Sequence, residues 1–70
     1  MTNTTDLAAA LKLLNVPADI ANHILATVEV FASVNGTVAE IAEELSWSKG
    51  GGYGGDQLAK WYTDAVALSK

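Results

Sequence analysis

Hydrophobic and polar positions along this chain alternate with helical periods. The longest such pattern covers residues 16–34, VPADIANHILATVEVFASV. Ile20, Ile24, Val28 and Phe31 recur at steps of four, four and three, and Ala21, Leu25 and Ala32 widen the row into a stripe. A stripe of period 3.6 predicts an amphipathic helix rather than a strand. The predicted helix spans residues 17–34. Pro17 suits the first turn, and Asn35-Gly36 suits the stop because glycine tolerates left-handed backbone. At 1.5 Å per residue it is about 27 Å long. Every other predicted helix is shorter, so this one is expected at the centre.

A first helix over 6–14 is predicted from Leu7, Leu11 and Leu14, with Thr4 or Thr5 as cap and Asp6 in the first turn. It ends before Pro17, which biases Val16 away from helical backbone. A third helix over 38–47 follows the clearest local signal in the chain. Thr37 precedes Glu40 by three residues, the pattern of a capping box. Val38, Ile41, Ala42 and Leu45 share one face, and Glu40, Glu43 and Glu44 lie off it. Residues 50–55, GGGYGG, read as a loop. Asp56 then caps a last helix over 57–69, with Leu58, Trp61, Tyr62, Ala65 and Leu68 on one side. The fold class that follows is all-α: a single domain over 1–70, a compact bundle of four helices. The expected core is Leu7, Leu11, Leu14, Ile20, Ile24, Leu25, Val28, Phe31, Val38, Ile41, Leu45, Leu58, Trp61, Ala65 and Leu68.

Composition narrows the function. A chain of 70 residues buries only about 60% of its unfolded surface, so its stability is small. Without cysteine it has no disulfide staple, and its single histidine and scattered acids suggest neither metal nor cofactor. Self-association or a partner would supply what the core lacks. The net charge is −4 and arginine is absent, which opposes nucleic-acid binding, since that rests on basic side chains neutralising phosphates. No apolar run approaches the roughly 20 residues that span a bilayer. MTNTTDLAAALK has neither the basic start nor the cleavage site of a secretory signal. The expected location is cytoplasmic, or secreted without a signal peptide.

Candidate chemistry is sparse. His23 shares a helix face with Asp19, but no serine or cysteine completes a triad there, so a surface histidine is expected. The glycine loop lacks a Gly-Lys-Ser/Thr ending and a preceding strand, so it does not read as a phosphate cradle. Glu40, Glu43 and Glu44 read as a solvated face. Nucleophile, base and electrophile are not found together, and the expectation is no enzyme. The aromatics Trp47, Tyr53, Trp61 and Tyr62 crowd the C-terminal half. Amphipathic rings favour membrane interfaces and binding surfaces. With Leu58 they form the candidate contact set for a membrane or a protein partner.

Two resemblances bear on function. The order Val16-Pro17-Ala18, Ile20-Ala21, Ile24-Leu25, Val28-Glu29 is similar to the first segments of the enterocin-type circular bacteriocins. Thr37, Ile41 and Leu45, a Gly-rich turn and Trp61-Tyr62 continue the match over residues 14–60. The resemblance implies a compact saposin-like bundle and an antimicrobial activity that makes bacterial membranes leaky. Helices three and four would then open about the glycine loop, with Gly51 and Gly54 as the hinge. That family is cationic and joined head to tail; this chain has Thr63, Asp64 and Ala65 where lysines would be expected, and a polar Met1-Thr2-Asn3. The second resemblance is of NGTVAEIAEELSWSKG to the first half of a helix-turn-helix. It implies an acidic protein-interaction or regulatory module. Its turn of about ten residues exceeds the three or four typical of that motif.

Overall fold

The computed structural model describes residues 4–34, 36–47 and 52–69. It contains four helices, α1 (Thr4–Leu13), α2 (Ala18–Ala32), α3 (Val38–Ser46) and α4 (Gly55–Leu68). No strand occurs among the described residues. The architecture is an all-α bundle.

Local chemistry fixes the helix ends. α1 stops in a Schellman motif: Asn15 takes left-handed backbone at φ 61°, its N–H donates to Lys12 O at 3.0 Å, and the Val16 N–H reaches back to Leu11 O at 3.1 Å. This geometry satisfies carbonyls that the helix end would otherwise orphan, and asparagine is the non-glycine residue that best tolerates it. Val16 and Leu11 are both buried, the apolar pairing that accompanies the motif. The capping box forms as expected: the Glu40 N–H donates to Thr37 Oγ1 at 3.2 Å and the Thr37 N–H to Glu40 Oε1 at 3.1 Å.

Other ends depart from the sequence reading. Thr4 and Thr5 lie inside α1 rather than capping it. Pro17 precedes the first turn of α2 as its N-cap, with ψ 143°, and its carbonyl accepts from the Ala21 N–H at 2.8 Å. α2 ends at Ala32, two residues before the expected stop. Its last turn closes when Phe31 O accepts from the Val34 N–H at 3.1 Å and the Gly36 N–H at 2.8 Å. Asn35 is outside the described residues. Gly36 has no left-handed backbone; its constraint is contact, since a Cβ there would sit 2.7 Å from Phe31 Cδ2 and 2.8 Å from Phe31 Cβ. α4 begins at Gly55 with Gly54 as N-cap, so Asp56 acts through the helix dipole and not as the cap.

Packing corrects the expected centre. α4 meets all three other helices, α2 also meets α1 and α3, and α1 does not meet α3. The most extensive packing is α3 on α4. α4 buries Gly55, Leu58, Tyr62, Ala65 and Val66, whereas α2 buries only Ile20, Ile24 and Val28. α4 therefore takes the central place expected of α2. The α2 residues spaced by four form a narrow strip, and Leu25 and Phe31 beside it are half-buried.

The core otherwise matches the apolar pattern, with Leu7, Leu11, Ile24, Leu45 and Leu58 fully enclosed. Leu14 and Trp61 are half-buried, packed against the core from its margin. Val38 and Leu68 are exposed, because each sits at the extreme end of its helix, where no neighbour covers it. Ala10, Val16, Tyr62 and Val66 are buried instead. On α4 the buried row runs through Leu58, Tyr62, Ala65 and Val66; of the expected face Leu58, Tyr62 and Ala65 are buried, while Trp61 lies at its margin, Leu68 is exposed and Val66 takes a place inside.

These contacts separate two glycines by their tolerance of a methyl group. Gly36→Ala should lower stability by about 1–3 kcal/mol through overpacking against Phe31. Gly54 has ordinary extended backbone, φ −77°, and open space around its Cβ position, so Gly54→Ala should change stability by less than about 1 kcal/mol. Thermal unfolding of the two variants beside the parent checks both.

Candidate membrane- or partner-contact surface

The aromatic segment between α3 and α4 divides into exposed and enclosed parts. Trp47 forms the C-cap of α3 and is 80% exposed. An indole so placed leaves its apolar area in water, and the helix that carries it gains nothing from that area on folding. Tyr53 is 39% exposed. Its ring meets Trp61 edge to face, with centroids 5.0 Å apart and planes at 66°, a favoured arrangement for two π-systems. The structure thus brings Tyr53 and Trp61 together and ties the loop to α4.

Leu58 and Tyr62 lie on the inward face of α4, with Trp61 at its margin. Leu58 is fully enclosed and Tyr62 is buried, so in the closed bundle both are core residues and neither is available for contact. Burial also pushes the Tyr62 phenol above its ordinary pKa, because the phenolate would lose hydration. Of the expected hinge residues, Gly51 lies outside the described residues. Gly54 is a helix N-cap with conventional backbone. Gly52 is the loop glycine whose geometry requires its type, with φ 84°.

Further apolar side chains are exposed outside this segment. Val30 and Val34 are 64% and 70% exposed, and Val38 is 43% exposed. These three bracket the α2–α3 turn. Val30 and Val34 fall off the Ile20–Ile24–Val28 row, whereas Val38 was expected in the core and is exposed instead. Leu13 and Leu68 are also exposed, and with Asp6, Ala9, Ala10 and Ser69 they line an open depression of about 320 Å³ between α1 and α4.

Polar chemistry is diffuse. Asp6, Asp19, Glu29, Glu40, Glu43, Glu44 and Asp56 are all exposed. Lys60 pairs with Asp64 at 3.0 Å on the outer face of α4, so the one lysine of the described part of that helix is already neutralised. That face, with Asp56, Thr63 and Ala67 also exposed, is poorly suited to reading nucleic acid. His23 is exposed, and its carbonyl accepts from Thr27 Oγ1 at 3.0 Å. Among the described residues no group of histidine and acidic side chains could hold a metal ion. No described helix is long and apolar enough to cross a membrane.

No protein-family model matches the chain, and comparison with curated proteins and with solved structures gives no match either.

Two expectations follow from the division of the aromatic segment. Leu58→Ala should destabilise by about 2–5 kcal/mol, while Trp47→Ala should shift stability by no more than about 0.5 kcal/mol; chemical denaturation distinguishes them. Tyr62 also sets a pH dependence. Below about pH 10 its phenol is neutral both folded and unfolded. Above that pH the unfolded chain ionises first, so the folded state binds more protons and stability falls as pH rises toward the folded pKa. Tyr62→Phe should remove that part of the alkaline loss, measured as melting temperature across pH 9–12.

Proposed function

We propose that this chain is a bacteriocin-like, membrane-directed helical bundle of saposin-like kind. The observation that carries the reading is apolar side chains held in water: Trp47 foremost, with Tyr53 beside α4 and the valines of the α2–α3 turn. Amphipathic rings and unpaired aliphatic side chains gain free energy at a membrane interface. The similarity of residues 14–60 to the enterocin-type bacteriocins points the same way.

The packing bears on how such a bundle would open. Separating α3 from α4 about the glycine loop would break the most extensive interface in the molecule. It would also uncover Leu45 and Leu58, at about 1.5–3 kcal/mol for each side chain. The contact of α2 with α3 is lighter. A movement that parts α2 from α3 and α4 would leave that interface whole, though it would uncover Ile20, Ile24 and Val28.

Dye release from phosphatidylcholine vesicles, and from vesicles that also contain phosphatidylglycerol, tests the reading. Micromolar protein should release dye from at least one of the two; intact vesicles of both kinds would overturn it.

A second reading has its own observation. The exposed acids spread over α1, α2, α3 and α4 and would suit a basic protein partner, as expected of an acidic interaction or regulatory module. Recovery of a stoichiometric basic protein from lysate, with vesicles left intact, would favour that reading.

A further inference from the structure

The charge pattern points to one edge of the bundle and one kind of lipid. Residues 30–39, VFASVNGTVA, are the longest stretch of the chain without an ionisable side chain. This stretch is the α2–α3 corner, running from the last turn of α2 to the first turn of α3. It carries Val30, Val34 and Val38, three of the seven large exposed hydrophobics of the described residues. Two of its hydroxyls are engaged locally: Ser33 Oγ donates to Val30 O at 2.7 Å, and Thr37 Oγ1 donates to the Glu40 carboxylate at 3.1 Å. Those two hydroxyls would therefore carry no unpaired donor to an apolar surface. The corner is also held in shape, since Gly36 is seated against the Phe31 ring.

Its borders are acidic. Glu29 and Glu40 flank the uncharged stretch, and both are exposed. The rest of the surface adds Asp6, Asp19, Glu43, Glu44 and Asp56, within a net charge of −4. An anionic bilayer carries a negative surface potential that attracts cations and repels such a rim. A bilayer with neutral headgroups imposes no such penalty.

We propose that the α2–α3 corner is the edge that enters the membrane, and that the membrane it enters is neutral at its headgroups. The inference rests on the membrane-directed reading above and adds the contact edge and the lipid class. It makes lipid selectivity here the reverse of what a cationic bundle would show.

The test is co-sedimentation with vesicles of phosphatidylcholine alone, and of phosphatidylcholine with a minority of phosphatidylglycerol, at low and at physiological salt. The parent protein should bind the neutral vesicles. Anionic lipid should weaken binding by at least about tenfold at low salt, with recovery as salt screens the repulsion. Val34→Glu and Val30→Glu place a carboxylate on exposed positions of the corner, and each should weaken binding to neutral vesicles by at least about tenfold. Leu13→Glu alters an equally exposed apolar position on α1 and should bind as the parent does. Circular dichroism confirms that each variant keeps its helices.

Tighter binding to the anionic vesicles would overturn the lipid assignment. Parent-like binding by both valine variants, or an equal loss in Leu13→Glu, would overturn the edge. Each of those results leaves the membrane-directed reading standing. Absence of both binding and dye release with either vesicle would remove that reading and this inference together.

Discussion

The packing of α3 against α4 is the constraint on which the rest of the structure depends. α3 is only nine residues long, too short to persist alone in water. It is held by its capping box at one end and by the burial of Ile41 and Leu45 along its length. α4 supplies the opposing surface and buries Gly55, Leu58, Tyr62, Ala65 and Val66 among its three neighbours. α1 and α2 close the remaining sides, and the Schellman turn at Asn15 sets how one passes into the other. With no cysteine, this apolar packing carries the fold.

Helix content and turn chemistry were legible because they are local. The Thr37–Glu40 box is a four-residue pattern, and its hydrogen bonds form between the residues that the pattern names. The rows Leu7–Leu11 and Ile20–Ile24–Val28 identify buried faces without knowledge of any neighbour. The centre of the bundle was not legible in that way. Length favoured the second helix, but how much of a helix is covered depends on what packs against it. The α4 row illustrates this: Leu58–Trp61–Leu68 and Leu58–Tyr62–Val66 are both good helical spacings, and only the position of α3 and α1 chooses between them. The type of stop at Gly36 was similarly hidden, because its close contact is with a ring five residues back.

The candidate surface was partly legible. Of the expected contact residues Trp47 and Tyr53 are exposed, while Leu58, which was expected in the core as well, and Tyr62 are core because they share the α4 row that faces inward. The valine corner is visible in the sequence as a run free of charge, with Val30 and Val34 off the buried stripe, but Val38 belonged to the expected core. The corner's importance emerges only when exposure is known. An acidic bundle with an uncharged corner has its apolar and electrostatic features in different places, and the two together restrict what surface it can approach.

Native-state hydrogen exchange measures most directly whether α4, packed on α3, is the stable heart of the fold. Amides within Leu58, Tyr62, Ala65 and Val66 of α4, with Leu45 of α3, should exchange last and only by global unfolding. Slowest exchange confined to Ile20, Ile24 and Val28 of α2, with α4 opening earlier, would contradict the account.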